Sequence, residues 1–579
     1  MKSLEGFRRR QRLLLVLLLL GLGMVAARLY QLQATPSSLA LSRARRQYAK
    51  RVPIQPQRGT LMDQRGRTLA LSVQADSIFV RPAALVRPTV AVRLLSQALS
   101  LPERDLRQRL SSGKPFVWLR RQAGPDEARR VRDLDLPGVA TLPEGKRYYP
   151  KGRLGGQLLG FVGVDNAGLE GLEYALDPYL RGVPGTVEVS RDGRGRSLYP
   201  LELLGRPPRK GADVVLTLDE AIQHFAESAL DRAVASSRAR GGTALVLEPE
   251  TGRVLALAVS PPFDPNQYLQ RAPEDWRLNG VTTVFEPGST FKLVTMAAYI
   301  EAARGAPGDT FDCRKGRSQL AGRRVRDVHP YGVLSVAQVF AVSSNICTIQ
   351  IAQAVGERAL HRYIQLLGFG DSTRSRLPAE PTGLVRPPEK WTSGSIVAVP
   401  IGQEVSVTAL QMALAYGAVA NGGYLMRPRL VREIRDGDEV VRVFAPKIRR
   451  RVLQPRTARI LKEMLAGVVQ RGTGKAAKPR GYSAAGKTGT AQQVDPATGT
   501  YSEDHYVASF VGFAPVETPR VVIFVSIDYP RTHTYGGVVA APVFREIAGR
   551  TLRYLRVPPD EKPPLRAARQ GEGTARRRT

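Results

Sequence analysis

The stretch Phe285 to Ile300, FEPGSTFKLVTMAAYI, places Ser289 and Lys292 three residues apart at the front of an apolar run with helical character. Two interpretations of this pair compete. Pro and Gly followed by Ser or Thr begin many helices, so Ser289 can be a helix cap and Lys292 a surface lysine. Alternatively, Ser289 is a nucleophile, and Lys292 lies one helical turn away as its base. The S-x-x-K spacing alone does not decide between them.

Two further short segments bear on this choice. VSSNIC places Ser343 and Asn345 near the start of another helical pattern, and AAGKTGTAQQ places residues 487–490 on a strand-like run late in the chain. Each has an ordinary explanation by itself: a helix cap for Ser343, and a surface lysine on an edge strand for Lys487. Their conjunction with S-x-x-K, in this order and on these kinds of element, favours the nucleophile.

The three motifs resemble those of the penicillin-binding protein and serine β-lactamase superfamily. S-x-x-K matches as Ser289-Thr-Phe-Lys292, S-x-N as Ser343-Ser-Asn345 and K-[ST]-G as Lys487-Thr-Gly489, all without substitution. The resemblance implies an enzyme that works through a serine acyl intermediate. Its implied catalytic residues are Ser289, Lys292, Ser343, Asn345 and Lys487.

The chemistry explains why two lysines are needed. A lysine with an ordinary pKa of about 10.4 is protonated at neutral pH and cannot act as a base. The pKa of Lys292 therefore has to fall through burial and through a second cation, and the resemblance places Lys487 across the same cleft. Ser343 is then expected to relay a proton towards the leaving amine. Asn345 is expected to bind the substrate amide and to help hold Lys292.

The strand of the third motif has a separate expected task. By the resemblance, a peptide substrate lies along it as an added strand, and Lys487, Thr488 and Thr490 meet its terminal carboxylate. Gly489 has no side chain, so it is expected to let the substrate backbone approach. The oxyanion hole is expected from the backbone N–H groups of Ser289 and Thr490.

The apolar pattern around these motifs predicts the fold class. A β-rich run ends at Leu218 and a helical pattern follows, and GGTALVLEPETGRVLALAVS reads as a hairpin around residues 250–252. Near the end, PRVVIFVSIDYP indicates a buried strand and APVFREIAGRTLRYL a closing helix. Strand pairs on either side of a central helical region predict an α+β fold with an antiparallel sheet flanked by helices, as in serine β-lactamases.

Several other segments are similar to class B penicillin-binding proteins: RGTLMDQRGRTLALS, RYYPKGRLGGQLLGFVGVDNAGLEGLE, LTLDEAIQ and FEPGST. No glycosyltransferase pattern precedes the motifs, which separates the chain from class A enzymes. The predicted organisation is a cytoplasmic tail (1–12), a transmembrane helix (13–30), a juxtamembrane connector (31–57), an elongated mixed pedestal domain of the dimerisation type (58–210), a transpeptidase domain (211–558) and a disordered tail (559–579).

The apolar run from Leu13 to Tyr30, interrupted by Arg28, is long enough to cross a bilayer. A cleaved signal peptide is the alternative, but no clear small-x-small cleavage site follows, which favours a retained anchor. Basic residues close to its start predict a single-pass inner-membrane protein with a cytoplasmic N-terminus and an extracytoplasmic, periplasmic catalytic domain. They are Lys2, Arg8, Arg9, Arg10 and Arg12.

The formal net charge of +35 would ordinarily indicate a nucleic-acid partner. A body exported across the membrane meets no nucleic acid, so we expect no such partner. We attribute the charge to an Arg-rich solvated surface or to a surface that attracts anionic membrane or envelope polymers. We expect no metal or cofactor, because neither C-x-x-C nor H-E-x-x-H spacing occurs. Cys313 and Cys347 can pair in an oxidising compartment or be buried as small hydrophobic residues.

Within class B, HYVASFVGFAPVETPRVVIFVSIDYP and YGGVVAAPVF are most similar to the septal, FtsI-type branch. This implies a D,D-transpeptidase that cross-links D-Ala-D-Ala stem peptides during septal wall synthesis and that β-lactams inhibit. It also implies partners in the membrane: a SEDS-type, FtsW-like glycosyltransferase and other divisome proteins. Glu404 in IGQEVSVTALQ stands where class B sequences usually have glycine, which leaves the conformation of that loop open.

Three alternatives remain at this point. The first is an elongation-type class B protein for sidewall synthesis. The second is a β-lactamase, which requires E-x-x-L-N after S-x-N, whereas the near match at residues 275–279 precedes Ser289. The third is a divisome scaffold of low catalytic activity that recruits partners through residues 31–210, which the intact motifs disfavour.

Overall fold

The computed structural model of the chain describes residues 2–34, 49–114, 116–190, 206–494 and 500–561. The chain separates into two compact units, one of residues 1–57 and 183–210 and the other of residues 58–182 and 211–579. The end of the predicted pedestal, from residue 183, thus groups with the N-terminal segment. The reason is strand pairing, since Ala49–Ile54 runs antiparallel to Gly185–Ser190.

Helix α1 (Lys2–Ala34) belongs to the first unit. Its stretch Phe7–Gln33 is long and apolar enough to cross a membrane, and none of that stretch is buried by the described residues. The helix exceeds the predicted span of 13–30 at both ends, because the flanking Arg, Gln and Leu residues are good helix formers. An N-terminal apolar helix is therefore confirmed.

The pedestal part of the second unit is a mixed arrangement of strands and helices. Its elements are β1 (Leu61–Met62), β2 (Thr68–Val80), α2 (Pro88–Leu99), α3 (Glu103–Leu110), β3 (Val117–Ala123), α4 (Pro125–Asp133), β4 (Val139–Tyr148) and β5 (Asp213–Leu216). Strand β2 pairs antiparallel with β1, β3 and β4. The apolar faces of α2, α3 and α4 cover Ile78 and Val80 of β2, which forms a separate small core.

The rest of the second unit carries the three motifs. Its first half contains α5 (Glu220–Ser237), β6 (Gly241–Leu247), β7 (Val254–Ser260), α6 (Lys292–Glu301), β8 (Arg317–Leu320), β9 (Arg323–Arg326), α7 (Val336–Val342), α8 (Asn345–Val355) and α9 (Glu357–Leu366). Its second half contains α10 (Ala409–Ala420), β10 (Val431–Asp436), β11 (Glu439–Val443), α11 (Pro455–Arg471), β12 (Ala485–Val494), β13 (Tyr501–Ala514), β14 (Val521–Asp528) and α12 (Ala541–Tyr554).

Five strands form an antiparallel sheet in the order β12–β13–β14–β6–β7. Both faces are covered, so successive residues of β6 enter different cores. Ala244 and Val246 pack with α5 and α12, whereas Leu245 and Leu247 pack with the helices that include α6 and α10. Every residue of β6 and β7 is buried for this reason. The predicted α+β fold with an antiparallel sheet flanked by helices is confirmed.

A second sheet joins the pedestal part to the catalytic part. Its strands lie in the order β11–β10–β5–β1–β2–β3, with β4 paired to β2. Strands β1 and β5 are parallel, and β5 pairs antiparallel with β10. Backbone hydrogen bonds therefore continue across the predicted boundary at residue 211.

The predicted tail begins in contact with the catalytic part. The backbone N–H of Ser483 donates to Asp560 Oδ1 at 2.8 Å, and Tyr482 OH donates to the carbonyl of Val557, also at 2.8 Å. The remainder of the predicted tail, residues 562–579, lies outside the described residues.

A buried ionic network closes the pedestal part. Arg58 donates to Glu173 Oε2 at 2.7 Å and to Asp177 Oδ1 at 2.6 Å, and Arg147 donates to Glu173 Oε1 at 2.6 Å. The side chains of Arg58 and Glu173 are 0% exposed. The network brings together the distant segments RGTLMD and GLEGLE. Glu173 accepts from both arginines because a buried carboxylate needs several donors to offset its lost hydration.

Replacing Arg58 by alanine leaves Glu173 with an uncompensated buried charge and is expected to lower the free energy of unfolding by about 3–5 kcal/mol. Arg107→Ala is the control, because Arg107 pairs with Glu103 with both side chains exposed (58% and 38%). That variant should change stability by less than about 0.5 kcal/mol. Urea unfolding of the purified protein measures both, and equal destabilisation of the two variants would contradict the assignment.

Candidate active site

Ser289 lies in a 3-10 turn, Gly288–Phe291, that leads directly into α6. Gly288 has a φ of +54°, which favours glycine. In a 3-10 turn, side chains at i and i+3 lie on the same side, so Ser289 and Lys292 face the same space. The turn is held from behind, since Tyr416 OH donates to the carbonyl of Thr290 at 2.8 Å.

Lys292 is completely buried, and its ammonium group makes three hydrogen bonds to the S-x-N motif. Lys292 Nζ donates to the carbonyl of Ser343 at 2.6 Å, to Asn345 Oδ1 at 2.7 Å and to Ser343 Oγ at 3.2 Å. The expectation that Asn345 helps to hold Lys292 agrees with this geometry. Among the described residues, Ser289 Oγ has no hydrogen-bond partner.

Lys487 completes the group from strand β12. It is also completely buried, and its Nζ donates to Ser343 Oγ at 2.8 Å and to the carbonyl of Thr488 at 3.1 Å. The hydroxyl of Ser343 therefore lies between the two lysines. Segments 144 residues apart in sequence meet at this one oxygen atom.

Burial shifts the protonation of both lysines. Loss of hydration lowers the pKa of Lys292 to about 7, although the nearby charge of Asp327 acts in the opposite direction. Burial, together with the positive charge of Lys292, holds the pKa of Lys487 well below its usual range. A neutral Lys292 donates two hydrogens, which Ser343 O and Asn345 Oδ1 can accept, and its lone pair is then available to a serine hydroxyl.

Asp327 is a residue of the site that sequence reasoning missed. Its carboxylate accepts from Ser344 Oγ at 2.5 Å, from the N–H of Asn345 at 2.5 Å and from the N–H of Ile346 at 3.1 Å. It thereby satisfies free N–H groups in the first turn of α8 and sets the position of Asn345. An aspartate in a loop 18 residues before Asn345 carries no local signal of this role.

Strand β12 places the third motif beside the nucleophile. Thr488 Oγ1 lies 2.7 Å from Thr473 Oγ1, and the N–H of Gly536 donates to Thr490 Oγ1 at 3.2 Å. A Cβ added to Gly288 would lie 3.2 Å from the carbonyl oxygen of Thr490. The segments that carry the two predicted oxyanion donors, Ser289 and Thr490, are therefore in contact.

Gly489 has a role in the packing of the site. A Cβ at this position would lie 3.0 Å from the carbonyl oxygen of Pro287 and 3.0 Å from Thr290 Cγ2, and would overlap Ser509 Oγ. The missing side chain therefore lets β12 approach the turn that carries Ser289. That it also makes room for a substrate backbone stays a prediction.

Glu404 takes the left-handed conformation that glycine usually supplies, with a φ of +58°. Its carboxylate accepts from Ser395 Oγ at 2.8 Å and pairs with Arg386 at 3.3 Å and Arg323 at 3.4 Å. Its N–H donates to Glu286 Oε1 at 3.0 Å, just ahead of the nucleophile turn. The charge contacts offset the backbone strain, which answers the question that the sequence left open.

A disulfide joins Cys313 and Cys347, whose Cα atoms are 5.1 Å apart. The two cysteines are therefore paired, which is one of the two possibilities that the sequence left open. Cys347 lies two residues after Asn345 in α8, so the bond ties the start of that helix to the chain just ahead of β8.

Two known families match the chain. Residues 242–549 match the penicillin binding protein transpeptidase domain, and residues 53–216 match the penicillin-binding protein dimerisation domain. The chain is 32% identical over 561 residues to the probable peptidoglycan D,D-transpeptidase PenA of Neisseria meningitidis, with 96% of this chain and 94% of the relative covered. It is 31% identical over 573 residues to the peptidoglycan D,D-transpeptidase FtsI of Escherichia coli, with 97% and 95% covered.

A solved structure agrees with these matches. Penicillin binding protein 3 of Mycobacterium tuberculosis, complexed with aztreonam, superposes with a TM-score of 0.69 at 30% sequence identity. The match covers 88% of this chain and 99% of that chain.

Two substitutions of Glu404 separate the cost of backbone strain at positive φ from the contribution of the ion pairs to stability. Glu404→Ala keeps a side chain at positive φ but removes the ion pairs, so we expect it to lower the free energy of unfolding by about 1–3 kcal/mol. Glu404→Gly removes the same contacts but relieves the backbone, so it should be more stable than the alanine variant by about 1 kcal/mol. Urea unfolding provides the comparison. An alanine variant as stable as the glycine variant would show that the loop is not strained.

Proposed function

The chain belongs to the class B penicillin-binding proteins and is a peptidoglycan D,D-transpeptidase, and we propose that it serves septal wall synthesis during cell division. The observation that supports the assigned chemistry best is the hydrogen-bonded group of Lys292, Ser343, Asn345 and Lys487 beside Ser289. Similarity to the FtsI-type branch near the end of the chain supports the septal role.

The first step is acylation of Ser289. Neutral Lys292 accepts the proton of Ser289 Oγ as this oxygen attacks the carbonyl carbon between the two D-alanines of a stem peptide. The negative charge that develops on the carbonyl oxygen is met by the N–H groups of Ser289 and Thr490. Proton transfer requires a lysine that is uncharged near neutral pH, and burial lowers the pKa of Lys292 to about 7.

The second step releases the terminal D-alanine. The proton on Lys292 passes through Ser343 to the leaving amine as the carbon–nitrogen bond breaks. Ser343 Oγ suits this relay because it lies 3.2 Å from Lys292 Nζ and 2.8 Å from Lys487 Nζ. The amine of a second stem peptide then attacks the acyl-enzyme, gives up its proton through the same groups and restores Ser289.

Substrate recognition rests on strand β12. The peptide adds along this strand, and its terminal carboxylate meets Lys487, Thr488 and Thr490. A β-lactam presents a similar carboxylate and a strained amide, so it acylates Ser289 in the same way. The structure of penicillin binding protein 3 of Mycobacterium tuberculosis complexed with ampicillin, which carries such a carboxylate, supports this assignment.

The N-terminal helix supports the proposed location. Arg8, Arg9, Arg10 and Arg12 lie at its start, which favours a cytoplasmic N-terminus and an extracytoplasmic catalytic part. The two matched domains are a dimerisation domain and a transpeptidase domain. A transpeptidase cross-links glycan strands that a polymerase supplies, and we infer that this partner is a SEDS-type, FtsW-like glycosyltransferase of the same membrane, acting together with divisome proteins.

A fluorescent penicillin should label the native protein and fail to label Ser289→Ala. The labelling rate should rise with pH through about 7 and then level off, because only the neutral form of Lys292 accepts a proton. Asp327→Asn removes a negative charge that favours protonated Lys292, so the rising limb should move to lower pH. These rates are measured by stopping the labelling reaction at a series of times and quantifying the fluorescence of the protein band on gels.

The matched control for that variant is Asp105→Asn, an exposed aspartate of α3 in the pedestal part. It should leave the rising limb unchanged. No labelling of the native protein would favour the scaffold alternative. A limb that moves to higher pH in Asp327→Asn would contradict the assignment of Lys292 as the base.

The septal role predicts where the protein works. A fluorescent fusion that restores growth in cells lacking the native protein should concentrate at midcell, because division synthesis is confined there. Ser289→Ala carried in the same fusion should reach midcell but fail to support division. A sidewall distribution would instead support the elongation-type alternative.

A further inference from the structure

Strands β8 and β9 form an antiparallel hairpin whose two faces differ in chemistry. Leu320 and Val325 point to one side, where they are buried against Ile346, Ile349 and Val397. The opposite side carries Arg317, Arg324 and Arg326, and all three residues are exposed. We call these three residues the arginine face.

The pairing register of the hairpin places like charges together. Arg317 lies directly opposite Arg326, and Gln319 lies opposite Arg324. Directly opposed like charges destabilise a strand pair, so this arrangement weakens the hairpin. The stability of the fold therefore does not explain why these arginines lie opposite each other.

The arginine face also lacks partners within the part of the chain that the structure describes. No carboxylate there pairs with Arg317, Arg324 or Arg326, whereas Arg323, on the other side of the hairpin, pairs with Glu404 at 3.4 Å. Exposed arginines elsewhere are often paired, as Arg107 is with Glu103 at 2.8 Å. The three guanidinium groups thus present their donors to solvent as a cluster of one sign.

The hairpin is held rigidly against the active site. Asp327 follows β9 immediately and binds the first turn of α8, and the disulfide of Cys313 fixes the other end of the hairpin to the same helix. Asn345 Nδ2 donates to the carbonyl of Arg326 at 3.2 Å. The side chain of Asn345 therefore links Arg326, at one edge of the arginine face, to Lys292.

We propose that the arginine face is a second anion subsite for the peptide substrate, which binds a free carboxylate of the peptide other than its terminal one. The proposal rests on the proposed function, in which β12 takes the terminal carboxylate. Arginine matches a carboxylate because its planar donors can form two parallel hydrogen bonds. The face lies on the Asn345 side of the site, whereas Lys487 enters from β12, so the two carboxylates are recognised by separate elements.

The test uses two peptides that end in D-Ala-D-Ala and differ in one internal glutamate, whose α-carboxylate is free in one peptide and amidated in the other. Each carries a fluorophore, and binding is followed by anisotropy with the full-length protein in a neutral detergent. Ser289→Ala is the background, so that no reaction occurs. The free carboxylate should bind about five- to tenfold more tightly than the amide, and the preference should shrink with added salt.

Arg317→Gln combined with Arg326→Gln should abolish this preference. The double variant should unfold at the same or a higher urea concentration than its parent, because it removes a like-charge pair. The matched control is Arg104→Gln combined with Arg129→Gln, which loses the same charge from two exposed pedestal residues and should keep the full preference. If the hairpin variant does not fold, Arg324→Gln alone should lower the preference by about twofold.

Two results would overturn the proposal: equal binding of the two peptides by the parent, or an unchanged preference in a folded hairpin variant. Failure of the proposed function is seen separately, because it appears as a lack of penicillin labelling at Ser289 in the native protein. The binding comparison still decides the subsite in that case, since it requires no turnover.

Discussion

Lys292 and Lys487 are both fully buried, and both donate to the hydroxyl of Ser343. Removing a cation from water is unfavourable by several kcal/mol unless it is paired or loses its proton. Among the described residues, the site offers these ammonium groups hydroxyl, carbonyl and amide oxygens but no carboxylate in direct contact. Their pKa values are lowered as a result. In the proposed mechanism, the same burial that weakens the folded state makes Lys292 available as a base near neutral pH.

This requirement explains why so much of the surrounding structure consists of close backbone contacts. In this site, glycines allow the backbone segments around Lys292 to approach closely and exclude water. Gly489 lets β12 reach the nucleophile turn, and a Cβ at Gly402 would overlap the backbone of Gly288. The N–H of Gly288 donates to the carbonyl of Gly402 at 3.1 Å, which fixes the turn from its other side. The five-stranded sheet supplies the rigid support for these contacts.

The charged groups outside the site differ from those inside it. Inside, the carboxylate of Asp327 opposes the lowering of the Lys292 pKa, and it is occupied by the first turn of α8. At the rim, Glu404 holds Arg323 and Arg386, while the arginine face of the hairpin stays unpaired among the described residues. The interior thus disfavours cations, whereas exposed arginines lie outside it, and this difference is consistent with the anionic peptide substrate proposed above.

The sequence by itself determined the fold class and the hairpin of β6 and β7, and it marked Ser289, Lys292 and the other motif residues as the candidate catalytic group, because these depend on local patterns and short spacings. Only the tertiary structure decided the partners of Asp327, the disulfide, the packing at Gly489 and the conformation of Glu404. Each of these depends on residues that lie far apart along the chain and meet only after folding. Local propensity holds no record of such contacts, since their free energy comes from burial and hydrogen bonding between distant segments.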